Sequence, residues 1–346
     1  MSPERSIEND LLEGSSVLKI EQYPDQSIEA LVSCEGQTYP LVWTASYGPN
    51  VINPDIDTLK QLLSVEDQPT FKNHTLLLPL QANGHCAADC RGCVFANHRE
   101  VTALEGFGRE NRIASRVEPS TMNMLISKAV QIAEMRGLLN PGESFRVNPL
   151  LSGDPSYNRD TLQLILTIAA HDRIEASRWS TIAAKTGNAP LEQFEEATRV
   201  MRDHHMNHKA RFQVSLHSTE QEQRMEHVWH YSPTTHPLYS FEEIAATFSN
   251  IYSMSGYAST LAFVVHAGSI IDPAVLKAHF STENTWVSLR PMIATDTDSA
   301  QSMKINDFED LYCRIRQEGF TTVVMPTVNG IEQDNLNRGL MHIESH

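Results

Sequence analysis

Three cysteines fall within eight residues of one another, in the run His85-Cys86-Ala87-Ala88-Asp89-Cys90-Arg91-Gly92-Cys93. Thiolates are soft ligands, and a C-x3-C-x2-C spacing on one loop can hold three irons of a single [4Fe–4S] cluster while the fourth iron stays without a protein ligand. The competing reading is structural zinc, which takes four ligands, commonly as two separated pairs. His85 or His98 is available as a fourth ligand, at a spacing unusual for zinc. An electron-transfer cluster usually has a fourth cysteine, and none is near. The chain has five cysteines, an odd number, and their clustering argues against a disulfide framework and for a reducing compartment. Cys34 and Cys313 stand alone and read as small buried hydrophobes.

An iron with an open position can chelate the amino and carboxylate groups of S-adenosylmethionine (SAM). One electron passed into the sulfonium then yields methionine and a 5′-deoxyadenosyl radical. The protein's part is to hold and shield this chemistry. A one-electron donor such as flavodoxin or ferredoxin is the partner such a reaction needs.

The elements that must position the loop follow from the pattern of the chain. Residues 1–15 read as a loose arm. Stretches 17–22, 28–32 and 39–44 alternate and are rich in β-branched residues, as in a small antiparallel β extension over residues 16–72. From about residue 75 the rhythm becomes strand, loop, helix. Strands are predicted at 75–81, 145–151, 175–180, 211–217, 261–266, 285–290 and 321–325, with helices at 120–135, 159–170, 190–204, 241–253, 273–280 and 307–317. Pro190 suits a first helical turn and Asp307 an N-cap. Such alternation implies parallel strands joined by right-handed crossovers. The expected fold is α/β, a partial (β/α)6 barrel over residues 73–326 with the small N-terminal β element. The segment 327–346 is expected to cover the barrel mouth.

In such folds the site forms at the C-terminal ends of the strands. The cysteine loop follows the first of them. The second ends in Ser152-Gly153-Asp154-Pro155, where glycine permits close backbone approach and the carboxylate can accept from an ammonium, although Gly-Asp-Pro is also a common turn. Ser180 and Thr181 close the third strand, as ligand donors or as a helix cap. Ser215 and His217 close the fourth and share a face if the strand stays extended, with a buried structural histidine as the alternative. Asn148, Arg178, Arg290 and Asn335 lie near strand ends as candidate substrate contacts, and each could equally be structural. His227 and His230, at i and i+3, read as a solvated helical face rather than a metal pair.

Forty-three acidic against 27 basic residues give a formal charge of −16. No Lys/Arg-rich run relieves it, so nucleic acid is not the expected partner. No apolar stretch is long enough for a membrane span and the N-terminus has no apolar leader, so the expected location is cytoplasmic.

These residues resemble the radical SAM superfamily through the cysteine loop. Within it, over residues 17–340, the chain resembles the adenine methyl synthases that modify ribosomal and transfer RNA. The anchors are Thr75-Leu76 leading into the loop, Gly153-Asp154-Pro155 where that family has Gly-Glu-Pro, Ser180-Thr181, Ser215-Leu216-His217, and Gly319-Phe320-Thr321-Thr322-Val323-Val324. By position, the resemblance implies that Cys86, Cys90 and Cys93 bind the cluster and that Gly153, Asp154, Ser180, Ser215 and His217 contact SAM. Gly92 stands where the superfamily often has an aromatic that touches adenine, which makes Phe95 the candidate replacement.

The departures are informative. The family's methyl-carrying cysteine should follow the Gly-Phe-Thr-Thr strand, and Asn335 is the closest match here. No cysteine lies in residues 71–85, and Ile293 stands near the place of the family's asparagine after the sixth strand. An amide can neither attack nor carry a methyl group. The expected function is therefore direct hydrogen abstraction from a small-molecule or short-peptide substrate, such as one of specialised metabolism, followed by isomerisation, epimerisation, dehydrogenation, elimination or bond formation. The alternatives are an RNA adenine methyl synthase with rearranged cysteines and a non-catalytic iron–sulfur or zinc protein.

Overall fold

The computed structural model describes residues 15–22, 26–47, 51–63, 71–82, 86–88, 90, 116–229, 235–291 and 303–324. Alternating β-branched and aromatic residues at the start of the chain form an antiparallel meander of β1 (Ser15–Gln22), β2 (Ile28–Cys34) and β3 (Gln37–Tyr47). The short β4 (Val51–Ile52) and helix α1 (Ile56–Leu63) follow, neither of them foreseen from the sequence. Then β5 (Phe71–Leu77) pairs antiparallel with β3 and parallel with β6 (Phe145–Asn148). The parallel run continues through β7 (Ile174–Thr181), β8 (Ala210–Ser215), β9 (Ser259–Val265), β10 (Thr285–Pro291) and β11 (Thr321–Val324), each beside its predecessor.

The result is one eleven-stranded sheet containing seven consecutive parallel strands. A strand has two edges. Those of β5 are taken by β3 and β6, and those of β11 by β10 and an antiparallel β4, so β5 and β11 do not pair and the sheet is open.

Sequential strand order with right-handed crossovers places successive helices on one face of a sheet. The contacts agree: α2 (Pro119–Met135) packs on α3 (Thr161–Ala169), α3 on α4 (Pro190–Asp203), α4 on α6 (Phe241–Ser255), and α6 on α7 (Pro273–His279). Beneath them the helix-facing strand residues are apolar. Phe194 of α4 stacks on Phe212 of β8 at 4.6 Å, and Trp43 of β3 donates its indole N–H to Ala129 of α2 at 2.8 Å. Helix α8 (Ile305–Gln317) packs on α1. Among the described residues no helix is long and apolar enough to cross a membrane.

Local chemistry sets most boundaries. Pro190 opens α4, and Ser240 with Glu243 forms a reciprocal capping box on α6. Asp307 does not cap α8: the helix starts one turn earlier, with Lys304 at the cap and Asp307 in the first turn, where a carboxylate still suits the helix dipole. The first parallel strand was expected to run to residue 81, but regular pairing ends at Leu77 because Pro79 has no N–H to give. Leu78 and Leu80 nonetheless donate to Asn148 and Ser152 at 3.1 and 2.6 Å, which carries the chain forward beside the end of β6.

Candidate functional site

The cysteine segment leaves the fold at a fixed point and returns to the same point. Gln81 and Arg116 form an antiparallel bridge, and Val117 donates to the Leu80 carbonyl at 3.0 Å. The buried Asn158 ties both sides, with its amide donating to Leu80 at 3.2 Å and Val117 at 3.0 Å. Beyond Gln81, Cys86 is buried and Cys90 partly buried. Both pack in a small apolar group with Ala88, Ile182, Ala184, Val228, Trp229 and Leu238, separate from the main core. Cys93, Phe95 and Asn335 lie outside the described residues. Among those described, no three His, Cys, Asp or Glu converge as a metal site.

The end of β6 meets the root of this segment directly. Gly153 has φ +89, and a Cβ there would come within 2.7 Å of Gln81 Cγ and 2.9 Å of its backbone nitrogen. Glycine is required twice, once for the left-handed backbone and once for the approach. Asp154, next along, is buried. Its Oδ1 accepts from the Ser156 N–H and the Thr181 hydroxyl, and its Oδ2 from the Ile182 N–H, all at 2.8 Å. Burial pushes its pKa up, and these hydrogen bonds oppose the shift. Thr181 points to the same side as the buried face of β7, so its hydroxyl serves the chain's own carboxylate. Asp154 thus braces the end of β6 to the end of β7, and Ile182 carries that brace to the group around Cys86.

On the face opposite the helices, β7 and β8 carry polar, partly exposed residues such as Arg178, Ser180, Gln213 and Ser215, whereas β9 adds Ala262 and Val264. Ser180 and Ser215 hydroxyls lie 3.0 Å apart, and the Gln213 amide donates to Ser180 at 3.0 Å. The register continues this row from Gln213 to Thr260 and on to Trp286. Asn148, Arg178 and Arg290 are all partly exposed; Asn148 and Arg178 stand on the neighbouring strands β6 and β7, whereas Arg290 is three strands further, on β10. Parallel sheets normally bury both faces. A polar, accessible face on this one is what a binding surface requires.

His217 does not follow the strand alternation expected of it. β8 ends at Ser215, and the N–H of Ser218 donates to the Leu216 carbonyl at 2.8 Å around His217 at φ +64. A three-residue turn with a positive φ is a rare, strained form. The imidazole stacks on His227 at 4.1 Å with its Nδ1 sealed from solvent, and burial followed by the neighbouring His227 and Arg224 drives its pKa well down. His227 is correspondingly buried, which corrects its reading as a solvated residue, and His230 lies outside the described residues.

The fold is similar to that of a solved radical SAM methyltransferase from Sphaerobacter thermophilus, matched with a TM-score of 0.59 at 15% identity over 90% of this chain and 77% of that one. No family model matches the sequence, and no curated protein does. At this identity the likeness concerns the fold.

Cys86, Cys90, Gly153, Asp154, Ser180 and Ser215 are marked by the sequence alone, and the structure gathers the ends of β5 to β8 from which they come. Gln81, Ser156, Ile182, Arg224 and Trp229 carry no such mark in the sequence. Gln81 is fully buried with neither amide atom hydrogen-bonded, and Trp229 Nε1 and Arg224 Nε are buried without an acceptor. Buried polar groups are nearly always paired. Unpaired donors gathered beside a thiolate loop suit a group rich in soft, negatively charged acceptors, as an iron–sulfur cluster is. A polar residue just before a cysteine motif, or an arginine at i+3 from a histidine in a short helix, is too common a pattern to have marked them.

Proposed function

We propose that this chain is a radical SAM enzyme. The observation that carries the reading is the junction of Gln81, Gly153, Asp154 and Ile182. It ties the root of a C-x3-C-x2-C segment to the ends of the next two parallel strands. In this reading the seven parallel strands curve as a partial barrel and the β1–β3 strip extends its wall; residues 327–346, expected over its mouth, lie outside the described residues.

Cys86, Cys90 and Cys93 would hold a [4Fe–4S] cluster, and the residues that close β6, β7 and β8 would bind SAM. Together these supply, when bound, a 5′-deoxyadenosyl radical. The chain's own residues do the rest. Gly153 lets its turn close against Gln81 at the root of the cysteine segment, with Asp154 fixing that turn beside the SAM site. Ser180 and Ser215 offer hydroxyls to the polar part of SAM. Phe95, outside the described residues, is the candidate for the adenine contact. The wall of Cys86, Ile182, Val228 and Trp229 keeps water from the reacting atoms. The polar face around Asn148, Arg178 and Arg290, joined by Asn335, receives a small-molecule or short-peptide substrate, from which hydrogen is removed directly. Cys313 supports the absence of a methyl relay, since it packs against the main core on α8 and not in the group that holds Cys86 and Cys90. The electron comes from a flavodoxin- or ferredoxin-type donor in the cytoplasm.

Anaerobic reconstitution tests this. The expected result is an absorbance shoulder near roughly 400 nm from a [4Fe–4S] cluster, and 5′-deoxyadenosine on adding reductant and SAM. No deoxyadenosine from a fully reconstituted chain, even with cell extract as the source of substrate, overturns the proposal, and so does zinc in place of iron by elemental analysis.

A further inference from the structure

Arg224, on α5 (Gln221–Val228), is fully buried. Its guanidinium donates to the Tyr239 carbonyl at 2.7 Å and to the Ile182 carbonyl at 3.1 Å, and its Nε has no acceptor. Both acceptors are neutral. No carboxylate acts on this arginine; burial alone lowers its pKa, to about 10, so it remains a cation at neutral pH. A buried charge normally has a partner of opposite sign, because desolvation is otherwise uncompensated. In a chain of net charge −16, a cation left without a carboxylate in the interior is not explained by supply.

Its surroundings indicate what the missing charge is. Ile182, which accepts from Arg224, packs in the same apolar group as Cys86, with Cys90 against it. Trp229, one turn along from Arg224, belongs to that group too. It is 5% exposed and its indole N–H has no acceptor. Tyr157 and His236 hold its ring edge-on, with centroids 6.4 and 5.7 Å away. A cation that donates to Ile182 and a free indole N–H therefore adjoin the apolar group that holds Cys86. Three thiolates outweigh the positive charge of an oxidised [4Fe–4S] core, and reduction adds one negative charge more.

We propose that Arg224 and Trp229 are positioning residues for the cluster: the buried cation and the indole N–H stabilise negative charge on its thiolates and sulfides and raise the potential at which it accepts its electron. The inference rests on the cluster reading above. In the step concerned, one electron passes from the external reductant to the cluster, taking it from 2+ to 1+, and no bond is made or broken.

The test is a redox titration of the reconstituted holoprotein with dithionite, followed by electron paramagnetic resonance, on the wild type and on Arg224→Met, Arg224→Lys and Trp229→Phe. The midpoint should shift to lower potential in Arg224→Met, less in Trp229→Phe, and least in Arg224→Lys, which keeps the charge. Trp229→Phe keeps the ring packing, so it carries the test if Arg224→Met fails to fold. Equal midpoints in all folded variants overturn the proposal. So does a loss of SAM affinity at unchanged midpoint, which would assign both donors to the SAM carboxylate. A wild-type chain that binds no iron overturns the cluster reading itself, a result distinct from either.

Discussion

Two buried polar regions meet at Ile182 and differ in one respect. On the β6–β7 side, Asp154, Ser156 and Thr181 satisfy one another: the carboxylate accepts three hydrogen bonds, and the Ser156 and Thr181 hydroxyls lie 2.9 Å apart. On the side of the cysteine segment, Gln81, Arg224 and Trp229 each keep a buried polar atom with no partner. The first pattern is that of a framework, where every group is paired within the chain. The second leaves donors over, at a cost of about 1–3 kcal/mol for each unpaired buried group, and such a cost is sustained where a ligand completes the set. A fully paired set and an unpaired one thus lie side by side at Ile182.

Substitutions should separate the two regions. The largest effect belongs to the cysteines. Cys86→Ala or Cys90→Ala should abolish iron uptake and the absorbance near roughly 400 nm while leaving the metal-free chain's thermal unfolding unchanged, as read by iron assay and circular dichroism. Loss of folding in the metal-free variants would instead place Cys86 and Cys90 in the framework.

Gly153→Ala comes next, since it meets both a positive φ and Gln81 at under 3 Å. A loss of about 3 kcal/mol is expected in urea unfolding. Asp154→Asn should cost about 2 kcal/mol, because an amide cannot accept at both ends. The pH dependence has a definite sign. Burial raises the folded-state pKa of Asp154 above 3.8, so the folded chain binds more protons than the unfolded one in the window between the two values. Stability from this group is greatest below that window, declines as pH rises through the folded-state pKa, and then stays level. The Asn variant should lack that slope.

The smallest effect sharpens the comparison from the other side. Gln81→Leu removes a buried amide that bonds to nothing, and should stabilise the metal-free chain by about 1 kcal/mol. A destabilisation of the size seen for Asp154→Asn would mean that Gln81 is framework as well.

Much of this was legible beforehand because its signals are local. Strands β6 to β11 and helices α2, α3, α4, α6, α7 and α8 were foreseen to within a few residues, from strand alternation, helical periodicity, and Pro190 at the first turn of α4. Helix α5 was missed because its buried face carries Arg224 and His227 where an amphipathic pattern would show apolar residues. The two residues of β4 have no pattern of their own, and exist as a strand because β11 offers an edge. His217 was misplaced on a face because alternation was extended past Ser215, through a residue whose positive φ breaks it.

The sequence by itself determined the cysteine motif, the parallel α/β order, and the polar residues that close the strands, since each depends on residue type and short-range spacing. Only the tertiary structure decided which of these are paired. Asp154 reaches Ile182 across 28 positions and Arg224 reaches Ile182 across 42. Whether a carboxylate, an amide or a guanidinium is satisfied depends on groups that distant in the chain, and the difference between the paired set and the unpaired one is made there.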